Sequence, residues 1–242
     1  MSVLREAAAT LRPAPGDRHG PLPPMMVALT FVTGVVDAAS YLKLGHVFVA
    51  NMTGNVVFLG FALAGAGGLS IATSLAAIVS FLLGAFAGGW LGGRVAEHRG
   101  HLLRAAGAAQ AGLMSVSLIV ALLASEPLHS GARYALLVPL ALAMGVQNAA
   151  AQRLAIPELT TTVLTRTLTG LASEAGWAGG RGSQLGRRLV AVAAMLLGAL
   201  TGGLLALHVS VAAALAVAGA AVLAVGVAVN VLSRSNAAWV RA

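Results

Sequence analysis

The sequence predicts an all-α protein, a polytopic membrane helix bundle of six spanning helices plus two short polar helices that are re-entrant or broken, built as two inverted repeats. Three observations predict this fold class: the composition, six long apolar runs and an internal repeat. Of the 242 residues, 58% are hydrophobic and only 9% are charged, and the mean hydropathy is +0.89. Soluble domains carry about 25% charged residues, so this chain has too few charges to cover a surface that faces water.

Six apolar runs have the length of bilayer-spanning helices. A spanning helix needs about 20 predominantly apolar residues. Inside lipid its backbone must be hydrogen-bonded within the segment, and Gly and Pro are tolerated there, so the 30 glycines do not argue for loops. The predicted spans are 25–42, 71–93, 107–124, 134–152, 188–207 and 209–232.

An internal repeat divides the chain into two halves. Residues 34–39 match 145–150 at an offset of 111, and residues 82–89 match 196–203 at an offset of 114. Between these matches, the polar stretch 49–55 faces the Thr-rich stretch 161–167. We therefore predict a disordered cytoplasmic tail, two membrane repeats and a cytoplasmic C-terminal tail, at 1–24, 25–124, 125–232 and 233–242.

Two polar segments, at 47–64 and 158–174, either cross the bilayer or enter and leave it on one side. If neither crosses, twelve Lys and Arg residues lie inside and two lie outside; if both cross, the distribution is nine to five. The positive-inside rule favours the first arrangement, which puts both termini in the cytoplasm of a bacterial cell and inverts the second half. The segment 47–64 is also apolar enough after Asn55 to span, so both topologies remain open at this stage.

Asp37 is the sharpest functional signal in the chain. It lies about two-thirds of the way along the first predicted span, where an ionisable group is costly and usually marks a cavity, a partner or a proton site. Thr33, Asp37 and Ser40 recur at helical spacing and form a polar stripe. The alternative is a protonated Asp37 that only links helices.

Further candidates for a solute or ion pathway lie in the two polar segments and in the repeat counterpart of Asp37. The counterpart is Asn148, which is flanked by Gln147, and amides of this kind also simply cross-link membrane helices. Broken or re-entrant helices present free backbone groups to a solute. The candidates in addition to Asp37 and Ser40 are Asn51, Thr53, Gly54, Asn55, Gln147, Asn148, Thr161, Thr162, Thr165 and Arg166.

Arg166 at membrane depth needs a counter-charge or water. We expect a pair with Asp37 or an aqueous cavity shared with it; the alternative is a side chain that extends to the inner surface. Because Arg166 occupies the position of Gly54 in the repeat, the two halves are not chemically equivalent.

The block Gly34-x-x-Asp37-Ala38-x-Ser40-Tyr41, then 48–55 with the sequence Phe-Val-Ala-Asn-Met-Thr-Gly-Asn, then Gly145-x-Gln-Asn-Ala, resembles the YoaK-like family. These are bacterial multi-pass membrane proteins of unknown function. The resemblance covers nearly the whole chain after residue 24 and implies a membrane protein. It implies no substrate.

The sequence favours a small-solute transporter or channel with a midplane polar site and a proton-coupled Asp37; the alternative is a non-transporting membrane scaffold or regulator. We expect no enzyme, because the chain has no Cys, no HExxH and no nucleophile elbow. We also expect no cofactor and no metal site. The net charge of +8 is dispersed between apolar runs rather than gathered on a basic face, so nucleic acid is not expected as a partner. The expected partners are the lipid bilayer, an unknown small solute or ion, and a second copy of the chain in a homo-oligomer.

Overall fold

The computed structural model describes residues 3–14, 16–17, 19–94, 98–125, 127–156, 159, 164–173, 184–233 and 238–240. Within these residues every regular element is a helix. The nine α-helices are α1 (Val3–Leu11), α2 (Leu22–Lys43), α3 (Met52–Leu63), α4 (Ile71–Arg94), α5 (Arg99–Leu123), α6 (Ser130–Leu154), α7 (Leu164–Ser173), α8 (Leu185–His208) and α9 (Val211–Leu232), followed by a 3-10 helix at Ala238–Val240.

Six of these helices are long and apolar enough to cross a membrane, namely α2, α4, α5, α6, α8 and α9. Each overlaps one of the predicted apolar runs, so the predicted all-α bundle with six spans is confirmed. Where a helix begins follows from local chemistry. Pro21 precedes α2, and the side chain of Ser210 caps α9 by accepting a hydrogen bond from the backbone N–H of Ala213 at 3.1 Å.

The first helix of each half is a central helix. About two-thirds of the apolar window of α2 and of α6 is buried inside the protein, whereas only 22–33% is buried in the other four spans. The outer helices expose Leu, Val and Phe side chains, as a bundle surrounded by lipid does. Burial therefore separates two central spans, α2 and α6, from four outer spans, and each half of the chain contributes one central span.

The closest helix contacts repeat between the halves. Gly34 of α2 packs directly against the backbone of α8 at 195–199, and Gly145 of α6 packs against the backbone of α4 at 81–85. The offsets between these contacts are 111 and 114, the values found in the sequence. Glycine permits backbones to approach this closely in membranes. The central helix of each half therefore packs against a helix of the other half: α2 against α8, and α6 against α4.

The order of contacts gives the direction of each helix. Phe31 packs against Gly198 and Val35 packs against Gly202, so α2 and α8 run in the same direction. The glycines of α4 meet α6 in the same parallel order. In contrast, α5 and α6 are antiparallel, because Gln110 contacts Gln147 near one end while Ser117 contacts Leu136 further along. The end of α9 at Ser233 lies beside the start of α5, so these two helices are antiparallel as well.

The amino-terminal segment differs from the predicted disordered tail. Residues 3–11 form α1, which packs across the start of α8, where the backbone N–H of Gly186 donates to the Glu6 carboxylate at 3.0 Å. The first N–H groups of a helix have no partner within the helix, and Glu6 provides one from 180 residues away. Further along, Gly20 lies against the ring of Trp239. The charge and proline content of this segment predicted disorder. Composition does not reveal the contacts with α8 and Trp239 that order it.

Candidate functional site

The first polar segment enters and leaves the bundle at the same end. A cavity of about 240 Å³ is lined both by residues 44–45, where the segment begins, and by Gly68 and Ser70, where it ends. Its helix, α3, has 12 residues and is therefore about 18 Å long, which is too short for a hydrocarbon layer of about 30 Å. Of the two topologies left open for 47–64, the structure has the re-entrant one.

Asp37 holds the innermost point of this re-entrant segment. Its Oδ1 accepts hydrogen bonds from the backbone N–H groups of Val49 at 3.0 Å and Ala50 at 2.8 Å. Non-helical backbone at membrane depth must find polar partners inside the protein, and the carboxylate supplies one here. Asp37 lies six residues from the end of α2, so the segment descends about 9 Å into the bundle.

Asn55 fixes the same segment from the other side. Its Nδ2 donates to the Phe48 carbonyl at 2.7 Å, and its Oδ1 accepts from the Phe48 N–H at 2.9 Å. Asn55 is fully buried. Asn51 caps α3 through a longer bond, 3.4 Å, from the backbone N–H of Gly54. Asn55 therefore acts on the backbone of the segment rather than on a cavity.

Aromatic rings fill the space between Asp37 and the nearer end of the bundle. The centroids of Tyr41 and Phe48 are 5.2 Å apart, and Phe58 lies 5.6 Å from Phe48 and 5.8 Å from Tyr41. These distances are those of favourable ring contacts. The cluster Tyr41, Phe48 and Phe58, called the aromatic cluster below, closes this end of the bundle above Asp37.

A cavity of about 1140 Å³, called the central cavity below, lies next to Asp37, and Phe58 of the aromatic cluster forms part of its wall. Both halves contribute to it: α2, α3 and α4 from the first, and α6, α7 and α8 from the second. It extends from Asp37 to Arg153 in the last turn of α6. Its lining residues are Asp37, Ala50, Asn51, Met52, Thr53, Gly54, Val57, Phe58, Phe81, Ala85, Gly89, Asn148, Ala149, Gln152, Arg153, Thr165 and Met195.

The second oxygen of Asp37 is the notable group in this cavity. Asp37 is only 4% exposed, and its Oδ2 is buried without a hydrogen-bond partner among the residues that the structure describes. An ionised carboxylate has lone pairs for about four hydrogen bonds. Oδ1 uses two of them, while Oδ2 has none among the described residues, and Asp37 itself lines the central cavity.

The structure brings half of the predicted site residues together. Those that line the central cavity are Asp37, Asn51, Thr53, Gly54, Asn148 and Thr165. Ser40 is buried and donates to the Asp37 carbonyl of its own helix at 3.1 Å, away from the cavity. Thr161 and Thr162 lie outside the described residues. Arg166 belongs to α7, but its side chain is also outside the description, so the Asp37–Arg166 pair stays a prediction.

Gln147 serves a different part of the bundle from its neighbour Asn148. Gln110 Nε2 donates to Gln147 Oε1 at 2.6 Å, and Gln147 Nε2 donates to Thr33 Oγ1 at 3.0 Å. This buried chain, called the glutamine chain below, joins α5, α6 and α2. It links helices and does not line the central cavity.

Sequence reasoning missed the apolar walls of the cavity. Met52, Phe58, Phe81 and Met195 carry no polar signal in a membrane protein, where most residues are apolar. Only the helical spacing of 81, 85 and 89 along α4 marks one face, and that spacing cannot be distinguished from ordinary helix packing.

Comparison with known proteins agrees with this architecture. Residues 25–228 match a family model described as "Protein of unknown function (DUF1275)". The UPF0700 transmembrane protein YoaK of Bacillus subtilis (strain 168) is 33% identical over 153 residues, which cover 62% of this chain and 65% of that protein. The chain thus spans just under two-thirds of the length of this relative. No solved structure matches the chain.

The predicted resemblance to YoaK-like proteins is confirmed by these matches. The family match includes both polar segments and all six spanning helices, except for the start of α2 and the end of α9. The chain is therefore a multi-pass integral membrane protein that belongs to the DUF1275 family, whose function is unknown.

Proposed function

We propose that the protein is a small-solute transporter or channel, not an enzyme, and that its pathway runs through the central cavity. The observation that carries the proposal is Asp37, a buried residue that lines a cavity of about 1140 Å³ and whose Oδ2 has no hydrogen-bond partner among the described residues. A carboxylate at membrane depth is costly and is generally retained where it meets water, an ion or a substrate. The volume is sufficient for a small organic molecule.

The two halves act in this proposal as inverted repeats around the cavity. Helix α2 runs parallel to α8, and α6 runs parallel to α4 but antiparallel to α5. These directions support opposite orientations of the repeat counterparts. Transporters built from inverted repeats carry their site near the bilayer midplane, where the repeats meet, and Asp37, Asn148 and Thr165 come from that region.

The proposed location is the bacterial inner membrane, with both termini in the cytoplasm. The end of the bundle that carries the starts of α2, α5 and α8 is rich in arginine, whereas the opposite end carries Lys43 and Arg133. Positive residues favour the cytoplasmic side. The central cavity then faces the cytoplasm through Arg153, and the aromatic cluster closes the outer side. The described basic residues at the cytoplasmic end are Arg5, Arg12, Arg94, Arg99, Arg104, Arg153, Arg187 and Arg188.

Asp37 is the coupling residue in this proposal. Its Oδ1 holds the re-entrant segment, and the same residue lines the central cavity. A proton on the carboxylate weakens charge-assisted hydrogen bonds to the backbone N–H groups. Protonation from the cavity therefore loosens the outer closure. Arg153 is the other charged residue among the described lining residues.

Flux through proteoliposomes tests the proposal. Purified wild-type protein, Asp37→Asn and the matched control Asp17→Asn, in an exposed loop, are reconstituted with an entrapped pH-sensitive dye. Gradients of amines, amino acids, sugars and organic acids are then imposed one at a time. We expect at least one class to move protons in the wild type and in Asp17→Asn, with loss of that movement in Asp37→Asn. Equal traces for Asp37→Asn and the wild type with every solute would remove the proposal.

A non-transporting scaffold is the second candidate function. The observations that favour it are the glutamine chain and the hydrogen bonds of Asn55 to the Phe48 backbone, because in both cases polar groups only hold the bundle together. A scaffold needs no water at Asp37. A central cavity that stays dry in a functional membrane would favour this role over transport.

A further inference from the structure

The chemistry of the central cavity indicates the class of its ligand. We infer that the cavity binds an organic ammonium ion, a protonated amine with an apolar body, whose charged nitrogen sits beside the Asp37 carboxylate. The inference rests on the proposed function in taking the cavity as a solute pathway. It adds the charge and the shape of the solute.

The charge at the closed end of the cavity is negative and only partly compensated. Asp37 receives two backbone N–H donors and lies beside the start of α3, which contributes about half a positive charge. These groups stabilise a negative charge on the carboxylate but do not cancel a full charge. A cation beside the carboxylate would complete the compensation.

Arg153, the cation among the described lining residues, is too far away to do so. Gln147 of α6 contacts Thr33 of α2, so these two residues lie at the same depth. Asp37 lies four residues from Thr33 toward one end, and Arg153 lies six residues from Gln147 toward the other. At 1.5 Å per residue, the two charges are about 15 Å apart along the bundle axis. Arg153 therefore lies at the mouth, where it does not neutralise Asp37.

The walls around Asp37 favour an organic cation over a metal ion. Magnesium and calcium ions need six or more oxygen ligands in a tight shell. Among the described lining residues Asp37 is the one carboxylate, the other oxygen-bearing side chains are neutral amides and hydroxyls, and the apolar part includes the rings of Phe58 and Phe81 and the side chains of Met52 and Met195. Aromatic faces attract ammonium groups and pack against apolar bodies. A volume of about 1140 Å³ is far larger than a metal ion occupies.

Binding of three probes of nearly equal shape tests the inference. The full-length protein in detergent is titrated with 3-phenylpropylammonium, the neutral 3-phenyl-1-propanol and the anionic 3-phenylpropionate by isothermal titration calorimetry. We expect the ammonium ion to bind at least about tenfold more tightly than the alcohol, the effect of one charge-assisted hydrogen bond, and the carboxylate to bind most weakly. Asp37→Asn should abolish the preference for the cation, while the matched control Asp17→Asn should keep it.

A second variant covers the case in which Asp37→Asn fails to fold. Phe81→Leu keeps an apolar wall but removes a ring. It should lower the affinity for the ammonium ion by about three- to fivefold and lower the affinity for the alcohol less. Equal affinity for ammonium ion and alcohol in the wild type, or an unchanged preference in Asp37→Asn, overturns the ammonium site. A neutral or anionic solute that drives Asp37-dependent flux would leave transport intact and refute the ammonium class. Cation binding without any flux would retain this site and refute transport.

Discussion

The glycine crossings make a quantitative prediction about what holds the two halves together. A Cβ placed on Gly145 would lie 2.6 Å from the backbone N of Ala85, and one on Gly34 would lie 2.7 Å from the backbone N of Ala199. Non-bonded carbon contacts prefer about 3.5–4.0 Å, so each pair of helices would have to separate by about 1 Å. The obstructing atoms are backbone and cannot rotate away. We expect Gly145→Ala and Gly34→Ala each to lower the free energy of unfolding by about 1–3 kcal/mol, the usual cost of overpacking.

The control is a glycine in a spanning helix with open space around it. A Cβ on Gly219 of α9 would meet no atom within 4 Å, and Ala is the better helix former, so Gly219→Ala should leave stability unchanged or slightly raised. Reversible unfolding by dodecyl sulfate in mixed micelles, followed by circular dichroism, measures all three variants. The two crossing variants should lose similar amounts, because their contacts are repeat counterparts. If both crossing variants unfold at the same dodecyl sulfate concentration as Gly219→Ala, the close contacts at Gly34 and Gly145 do not exist as described.

Three other predictions concern the polar contacts. Asn55→Ala leaves the part-buried backbone N–H and C=O of Phe48 without their shared partner and should cost about 2 kcal/mol of unfolding free energy. Asn51→Ala loses one long exposed bond and should cost much less; equal losses in the same unfolding assay would contradict the role of Asn55 in fixing the segment. Leu substitutions at Gln110 and Gln147, alone and together, should show a coupling energy of about 0.6–1.7 kcal/mol in a double-mutant cycle, and strict additivity would rule out the glutamine chain. Glu6→Ala should release α1 and speed amide hydrogen exchange over residues 3–11, since it removes a cap worth about 0.5–2 kcal/mol; unchanged exchange would mean that Glu6 does not hold α1.

The sequence was sufficient for the bundle and for its internal repeat. Hydrocarbon imposes length and hydropathy on every span, so the six apolar runs overlap the six long helices closely. The repeat offset, read from 34–39 and 145–150, reappears in the contacts of Gly34 and Gly145. Both results depend on local patterns that the chain carries along its whole length.

The functions of individual polar residues could not be predicted in the same way. Gln147 and Asn148 are adjacent, yet neighbouring residues on a helix point about 100° apart; one joins the glutamine chain and the other lines the central cavity. A polar residue in a membrane span indicates that a hydrogen-bond partner is needed, but the sequence does not show which residue provides it. Asp37 was recognised as exceptional, but its bonds to Val49 and Ala50 require the re-entrant path of a segment that also looked able to span.

Water access to the central cavity tests the central claim most directly. The chain has no cysteine, so single cysteines can be introduced without background at Thr53 and Asn148, which line the cavity, and at Leu82, an exposed residue on the apolar surface of α4. In inside-out membrane vesicles, a charged, membrane-impermeant thiol reagent should modify Thr53→Cys and Asn148→Cys rapidly and Leu82→Cys hardly at all. Failure of the reagent to modify either cavity position, with each variant folded, would contradict a water-filled pathway that reaches Asp37.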